Sequence, residues 1–190
     1  MPENTIGRDL GGLVEEFFSL RGGICEKAAA ACAACLSRGG KILAFGNGGS
    51  AAEAQHFVAE LVNKFLRPRR ALRAVALSTD SSVLTSIGND VSFDAVFSRQ
   101  IEALGDAGDV ALALSTSGNS PNVLHALREA KARGMTTIAL TGRGGGRLAE
   151  IPDFLLDVPS TDTPRIQEVH LVVIHYLAQA IEKEFGAEAP

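Results

Sequence analysis

The sequence predicts a single α/β domain, residues 1–190, in which helices cover both faces of a parallel β-sheet. From Lys41 onward, short apolar runs alternate with helical stretches, which is the pattern of consecutive strand and helix units. Polar turns rich in Gly and Ser follow several of these runs, where the chain would leave a strand. The length of 190 residues suits one domain with a full-sized core.

The N-terminal segment, residues 8–38, is predicted to be helical with a break near Gly22 and Gly23, because apolar side chains recur there at helical spacing. These side chains are Leu10, Leu13, Val14, Phe17 and Phe18. We expect these helices to pack outside the sheet or against another subunit. Residues 1–38 are therefore assigned to oligomerisation, and residues 39–185 to the α/β core.

Five short apolar runs are the predicted strands. They cover residues 41–45, 73–77, 109–114, 136–140 and 154–158. Helices are predicted from the first Gly-rich turn to about Phe65, after the second strand, from Pro121 to about Arg133, and from about Pro164 to Glu184. Open sheets of this kind bind ligands beyond the carboxyl ends of their strands, so we expect the site among the turns there.

The charge balance argues against nucleic acid or an anionic membrane surface as a partner. The chain has 18 basic and 22 acidic side chains, for a formal net charge of −4. It has no secretory leader pattern, and no run approaches the roughly 18 apolar residues that cross a bilayer. The odd number of cysteines, 3, also fits a reducing compartment, so we expect a cytoplasmic protein.

Cys32 and Cys35 form a C-x-x-C pair, which could indicate a redox or metal site. No second cysteine pair accompanies them, since Cys25 is the only other cysteine. The surrounding Ala-rich sequence is typical of a helix. Small thiols buried in helix packing are the better interpretation.

One cluster of basic residues stands out after the first predicted helix of the core. Its members are Lys64, Arg67, Arg69, Arg70 and Arg73. A solvated loop is the simpler interpretation. The alternative is a contribution to an anionic substrate site, across a subunit boundary.

A hydroxyl-rich turn follows the third predicted strand. Ser115-Thr-Ser-Gly-Asn-Ser120 carries four hydroxyls directly before the helix that begins at Pro121. Backbone N–H groups at a helix start attract anions, and hydroxyls add uncharged donors, so a phosphate monoester would fit there. The alternative is a Ser N-cap in an ordinary loop, but a cap needs only one hydroxyl. The pattern favours a phosphate site.

A second polar turn, Gly46-Asn-Gly-Gly-Ser50, follows the first strand. It matches neither the Rossmann nor the P-loop fingerprint, because its Gly spacing differs and no Lys-Ser/Thr follows. Two interpretations stay open. The turn is either a tight turn capped by Ser50, or a stretch of backbone that a ligand approaches closely because Gly has no Cβ.

Ionisable side chains pair on two predicted helices. His56 and Glu60 are four residues apart, and Gln167 and His175 are eight apart, so each pair shares one helix face. Two imidazoles, a carboxylate and an amide could bind a divalent ion, with zinc the natural choice. Spacing alone is a weak signal, because such a His–Glu pair is more often a surface ion pair. The other two histidines fit ordinary positions on helix faces.

Five motifs occur together in the order and spacing of a known family. They are Gly46-Asn-Gly-Gly-Ser50, Gly88-Asn89-Asp90, Ser115-Thr-Ser-Gly-Asn-Ser120, Leu140-Thr-Gly142, and Arg165-Ile-Gln-Glu-Val-His170 with His175. From about Lys41 to Glu184 the chain resembles the sugar isomerase (SIS) domain family and, within it, the phosphoheptose isomerases. Each motif alone is a modest indication, whereas five in order are specific.

This resemblance implies a fold, an assembly and an activity. The fold would be a flavodoxin-like, three-layer α/β/α domain with a five-stranded parallel sheet, in a homotetramer with shared active sites. The activity would be conversion of D-sedoheptulose 7-phosphate to D-glycero-D-manno-heptose 7-phosphate. That reaction is the first step of ADP-heptose synthesis for lipopolysaccharide and other surface glycans. One zinc ion per subunit is also implied.

The resemblance also assigns roles to residues. The phosphate would be bound by Ser115, Thr116, Ser117 and Ser120. The sugar would be lined by Asn47, Gly48, Gly49, Asn89, Asp90 and Gln167, with Ser50 beside it. The zinc ligands would be His56, Glu60, Gln167 and His175. Lys64 stands where some relatives have Arg, which leaves a cationic substrate contact at that position open.

The implied chemistry needs an acid and a base. Aldose–ketose exchange moves a proton between adjacent carbons through an enediol, and an oxyanion must be stabilised on the way. Glu60 is the carboxylate that could take the carbon-bound proton, and His175 can exchange a proton near neutral pH. A bound zinc ion could polarise the carbonyl or organise the pocket, although a carboxylate bound tightly to zinc is a weaker base.

Two other functions compete with the enzyme. One is a non-catalytic SIS-domain regulator that binds the replication initiator protein through its tetramer surface. The other is a sensor that binds a sugar phosphate without turning it over. Both would keep the hydroxyl-rich turn but would not need the complete set of His56, Glu60, Gln167 and His175. That set favours the enzyme.

Overall fold

The computed structural model describes residues 5–186 and has the predicted α/β architecture. The elements are α1 (Thr5–Ser37), β1 (Ile42–Gly46), α2 (Gly49–Val62), β2 (Ala74–Ala76), α3 (Ser81–Asp90), α4 (Ser98–Leu104), β3 (Val110–Ser115), α5 (Pro121–Ala132), β4 (Thr136–Thr141), β5 (Phe154–Asp157) and α6 (Thr163–Glu184). All five strands are parallel, in the order β2-β1-β3-β4-β5, which is the flavodoxin-like order. The predicted fold class is confirmed. The ends of the predicted domain, residues 1–4 and 187–190, lie outside the described residues.

Helices cover both faces of the sheet and create two hydrophobic cores. Successive residues of a strand point to opposite faces, so Ile42 and Ala44 of β1 pack in the core with α1, α2 and α6. Leu43 and Phe45 pack in the other core, which α4 and α5 cover, and the ring of Phe45 lies 5.4 Å from that of Phe97. The fold therefore has three layers.

The N-terminal segment is one continuous helix of 33 residues, so the predicted break near Gly22 and Gly23 is wrong. Glycine costs up to about 1 kcal/mol relative to alanine inside a helix, but tertiary packing outweighs that cost. The helix packs against α6 along its length, and its buried Phe17 and Cys25 lie on either side of the two glycines. It thus belongs to the main core, while its role in oligomerisation stays a prediction.

Helix α2 ends at Val62, three residues before the predicted end near Phe65. The reason is a side chain that terminates the helix. The guanidinium of Arg69 donates hydrogen bonds to the backbone carbonyls of Glu60 and Leu61, at 2.5 and 2.8 Å, which are orphan acceptors at a helix C-terminus. Helix α1 begins at Thr5, three residues before its predicted start, and the ends of the five strands agree with the predictions within one or two residues.

The strand order reverses between β1 and β3, and this positions the site. The chain leaves β1 toward α2 on one face and leaves β3 toward α5 on the other, so the two turns diverge at the carboxyl edge of the sheet. The side-chain amides of Asn47 and Asn122 join them by two reciprocal hydrogen bonds of 2.9 Å. The two polar turns of the sequence are therefore neighbours.

The three cysteines are buried free thiols. Burial raises the pKa of the Cys32 and Cys35 thiols, and it raises that of Cys25 to about 12. Thiols that stay protonated and buried are unreactive, so the interpretation of the C-x-x-C pair as packing is confirmed. Across residues 5–186, no helix has the length and apolar character needed to cross a bilayer.

Candidate active site

A polar cavity of about 210 Å³ opens at the carboxyl edge of β1 and β3. Side chains from both turns and from the start of α6 form its wall. They are Asn47, Ser50, Leu114, Ser115, Thr116, Ser117, Ser120, Thr163 and Gln167. Seven of these were predicted as substrate-binding residues, so the structure brings together the two turns and Gln167. Thr163 was missed, because a lone Thr before a Pro signals only a helix start.

The hydroxyl-rich turn keeps its hydroxyls available to a ligand. Ser120 occupies the N-cap position of α5, but its side chain makes no capping hydrogen bond. Its Oγ lies 3.3 Å from Ser115 Oγ instead. The Ser117 Oγ accepts the backbone N–H of Asn119 at 3.1 Å, which leaves its own proton free to donate. The N-cap interpretation of this turn is therefore wrong, and the geometry favours an anion site.

The loop after β4 packs against the hydroxyl-rich turn. Gly118 has φ 63°, and a Cβ there would lie 2.0 Å from the carbonyl oxygen of Gly145. The backbone N–H of Leu148 donates to the Gly118 carbonyl, and that of Arg147 donates to the Asn119 side chain, both at 3.0 Å. Only glycine fits at position 118 without moving the turn.

The Gly46–Ser50 turn begins α2, and Gly48, with φ 57°, is its N-cap. Ser50 lies inside the helix and is buried, so of the two open interpretations the one in which Ser50 caps the turn is wrong. A Cβ on Gly49 would lie 2.3 Å from the side-chain nitrogen of Gln167. Gly49 therefore lets the Gln167 amide approach the start of α2, at the wall of the cavity.

Three predicted zinc ligands meet between α2 and α6. His56 Nε2 lies 3.0 Å from His175 Nε2 and 3.0 Å from a carboxylate oxygen of Glu60. One potential ligand atom from each of these residues lies within 4.8 Å of the other two, and the cluster is partly open to solvent. His56, Glu60 and His175, which we call the His–Glu–His cluster, thus form more than a pairwise surface contact.

The donor set of the His–Glu–His cluster fits a zinc ion. Two ligands of a tetrahedral zinc, at about 2.0–2.1 Å from the metal, lie roughly 3.3 Å apart. The observed separations of 3.0 Å are close to that value. Two imidazole nitrogens and one carboxylate could therefore hold the ion. The Gln167 amide lies against Gly49, and its part as a fourth ligand stays a prediction.

The cluster and the cavity lie along the same two helices. On α6, Gln167 at the cavity wall and His175 are separated by eight residues, or about 12 Å along the helix axis. On α2, Ser50 at the cavity and His56 are separated by six residues, or about 9 Å. The backbone positions that present the cavity residues and the cluster residues are therefore about two helical turns apart along these helices.

Asn89 and Asp90 do not join either site within one protomer. They lie at the end of α3, are exposed, and contact each other through a hydrogen bond from the Asn89 amide to the Asp90 carboxylate at 2.7 Å. Neither lines the cavity.

The basic cluster divides into different roles. Arg69 has a fully buried side chain that binds backbone carbonyls, so the solvated-loop interpretation is wrong for this residue. Arg73 donates to the Gly39 carbonyl, and the Arg70 guanidinium lies 5.0 Å above the Phe185 ring. Lys64 and Arg67 are exposed, and their part in substrate binding stays a prediction.

The remaining two histidines differ in environment. His125 is exposed on α5, as predicted for an ordinary helix face. His170 is fully buried, and its Nε2 lies 3.2 Å from the Thr141 carbonyl. Its Nδ1 lies 3.8 Å from a Glu53 carboxylate oxygen, and neither atom has a hydrogen-bond partner among the described residues. His170 is thus a core histidine whose burial was not predicted from the sequence.

Sequence comparison with known proteins identifies the family. A family model described as the SIS domain matches residues 8–142. The phosphoheptose isomerase of Desulfovibrio desulfuricans is 55% identical over 172 residues, which are 90% of this chain and 82% of that protein.

Solved structures give the same result. The phosphoheptose isomerase of Neisseria gonorrhoeae superposes with a TM-score of 0.87 at 47% identity, covering 93% of this chain and 94% of that one. A phosphoheptose isomerase of Francisella tularensis superposes with a TM-score of 0.91 at 38% identity, covering 95% and 96%. With its fold, its hydroxyl-rich turn and its His–Glu–His cluster, the chain belongs to the SIS-domain family, among the phosphoheptose isomerases.

Proposed function

We propose that this protein interconverts D-sedoheptulose 7-phosphate and D-glycero-D-manno-heptose 7-phosphate at the cavity and the His–Glu–His cluster. The main support for this proposal is the His–Glu–His cluster, in a chain of the phosphoheptose isomerase family. One potential ligand atom from each of His56, Glu60 and His175 lies within 4.8 Å of the other two. Such an enzyme is an aldose–ketose isomerase that acts on a sugar phosphate. Its product would supply heptose for surface glycans.

Substrate binding would begin at the phosphate. Ser115, Ser117 and Ser120 offer hydroxyl donors, and the amino ends of α2 and α5 face the same cavity. The sugar would extend along α2 and α6 toward the His–Glu–His cluster. Asn47 and Gln167 line the cavity and can hydrogen-bond sugar hydroxyls.

Isomerisation requires one proton to leave the carbon beside the carbonyl and one to arrive at the former carbonyl carbon. In the forward direction, the Glu60 carboxylate would take the proton from C1 of the ketose, giving an enediolate. His175 would protonate the oxygen on C2 and later take the proton from the oxygen on C1. The proton on Glu60 exchanges with solvent, and delivery of a proton from Glu60 to C2 completes the aldose, so no proton is gained or lost overall.

The His–Glu–His cluster would also hold one zinc ion per subunit, with Gln167 as the fourth ligand. The donor set and its 3.0 Å spacings support this. When bound, zinc would stabilise negative charge on the substrate oxygens as a Lewis acid. Because a carboxylate bound to zinc is a weaker base, metal content must be measured beside turnover in every Glu60 variant.

A homotetramer with shared active sites is part of the proposal. Asn89 and Asp90, which the resemblance assigns to the sugar, lie outside the cavity of their own protomer. Their exposure at the end of α3 is consistent with a contribution to the site of another subunit.

The two competing functions account for fewer of the observed features. A regulator of the replication initiator or a sugar-phosphate sensor would need the cavity but not the His–Glu–His cluster. The test is direct: the purified protein is incubated with sedoheptulose 7-phosphate, and the aldose is sought as product. Substrate binding without any aldose would favour the sensor and contradict the enzyme.

A further inference from the structure

Residues 63–73, between α2 and β2, form a loop that two buried, oppositely charged side chains hold in place. The side chain of Arg69 is 0% exposed and that of Glu182, on α6, is 3% exposed. Burying a charged group costs free energy unless the group is paired and hydrogen-bonded. The hydrogen-bond partners of these two side chains therefore identify the parts of the backbone that they hold.

Arg69 binds the end of α2. Its guanidinium donates to the carbonyls of Glu60 and Leu61, and also to those of Asn63 at 3.3 Å and Arg70 at 2.9 Å. Glu60 is a member of the His–Glu–His cluster, so Arg69 binds the backbone of that residue itself. Burial lowers the pKa of the Arg69 guanidinium, and the negative charge of Glu182 opposes this effect.

Glu182 binds the loop that follows. Its carboxylate accepts the backbone N–H groups of Phe65 and Leu66 at 3.0 Å and that of Arg67 at 3.1 Å. One of its oxygens lies 3.5 Å from Arg69 Nε, an ion-pair contact without a hydrogen bond. A carboxylate with three N–H donors and a neighbouring guanidinium is well compensated.

The same contacts reach His175. Phe65, whose backbone Glu182 holds, packs its ring against the His175 imidazole, with ring centres 5.4 Å apart. Glu182 lies seven residues after His175 on α6, or two helical turns along the same side. The Arg69–Glu182 pair therefore bears on Glu60 through its backbone and on His175 through Phe65.

We propose that Arg69 and Glu182 are positioning residues that set Glu60 of α2 against His175 of α6. This inference rests on the proposed function of the His–Glu–His cluster. The pair acts as a clamp between the two helices that carry the ligand atoms. Neither residue touches the reacting atoms.

If Arg69 and Glu182 position these residues, replacing either one should lower turnover and metal affinity more than it weakens substrate binding. Small misplacements of catalytic groups cost on the order of 10- to 100-fold in rate, and loss of groups that orient metal ligands costs about 10- to 100-fold in affinity. The phosphate-binding cavity lies at the other end of both helices, so KM should change less than kcat.

The experiment compares Glu182→Gln and Arg69→Lys with two matched controls. Glu182→Gln keeps the shape but removes the charge, and Arg69→Lys keeps the charge but removes the planar set of donors. The controls are Glu184→Gln and Arg128→Lys, which change exposed residues of α6 and α5. For each protein, kcat, KM, circular dichroism and affinity for Zn²⁺, by competition with a chelating dye, are measured.

We expect both clamp variants to stay folded, with kcat and Zn²⁺ affinity each at least about tenfold lower and KM changed less. The controls should match the wild type. Folded clamp variants with wild-type kcat and Zn²⁺ affinity would overturn the proposal. A wild type that binds no Zn²⁺ would contradict the proposed metal alone, and the kcat comparison would still decide the clamp.

A measurement on the wild type covers the case in which the variants do not fold. Coupling is reciprocal, so Zn²⁺ at the His–Glu–His cluster should slow hydrogen exchange of the Phe65, Leu66 and Arg67 amides. Exchange at these amides that does not respond to bound Zn²⁺ would contradict the clamp.

Discussion

The turn from Ser115 to Ser120 carries four hydroxyl groups, on Ser115, Thr116, Ser117 and Ser120. The sequence suggested a phosphate site because it carries more hydroxyls than one cap needs. The structure adds that Ser120 does not cap α5 and lies 3.3 Å from Ser115. A side chain that gives up its usual capping role is available for a ligand.

Ser120→Ala should therefore weaken substrate binding while the fold persists. A hydrogen bond to a charged group is worth about 1.5–3 kcal/mol, so KM should rise at least about tenfold. Steady-state kinetics on Ser120→Ala and Ser117→Ala would measure this, with Ser98→Ala at the start of α4 as the matched control. Unchanged KM in both turn variants would remove these residues from the phosphate site.

Other residues of the site could not be predicted from sequence. Asn122 bonds Asn47, and Glu182 bonds the loop after α2, across long separations along the chain. Neither Asn122, which directly follows Pro121, nor Glu182, near the end of the last helix, lies in a local sequence pattern that indicates such a partner. His56, Glu60 and His175 were predictable because the family motifs supplied what spacing alone did not.

At the scale of elements, the alternation of strands and helices predicted all five strands within one or two residues. The N-terminal helix was predicted less well. Two adjacent glycines usually indicate a helix break, but here Phe17 and Cys25 are buried on either side of them and hold one continuous helix. Tertiary packing decided the outcome, and local propensity does not report packing.

Gly23→Ala should stabilise the protein, because the glycine sits inside a helix and an added Cβ would meet no atom within 4 Å. The expected gain in the free energy of unfolding is about 0.5–1 kcal/mol. Urea unfolding at one fixed protein concentration measures it. Gly40→Ala is the control of opposite sign, since its Cβ would lie 2.7 Å from Cys35 Sγ. A loss of stability in Gly23→Ala would show that α1 is strained or covered at that point.

In the whole molecule, most of the predicted site residues of one protomer lie at two places. The residues predicted to bind phosphate line the cavity, and three of the predicted zinc ligands form the His–Glu–His cluster. Asn89 and Asp90 lie outside both places. The sequence of one chain does not show whether residues of two subunits meet in one site. A site completed by a second subunit would account for it.

Light scattering tests the assembly. We expect a mass four times the 19.9 kDa of one chain at micromolar concentration. A single species of 19.9 kDa would contradict the homotetramer and the shared site. The cavity and the cluster would then have to act within one protomer.

Glu60 and His175 are proposed to move the protons of isomerisation at the His–Glu–His cluster. The most direct test is solvent deuterium incorporation into the heptose phosphates, measured with turnover and zinc content for the wild type, Glu60→Gln, His175→Gln and, as control, His125→Gln. We expect deuterium at the carbons next to the carbonyl for the wild type and His125→Gln. Loss of either acid–base group should lower turnover by about 10²–10⁴-fold. If Glu60→Gln has full zinc occupancy and still shows wild-type deuterium incorporation and turnover, Glu60 is not the base.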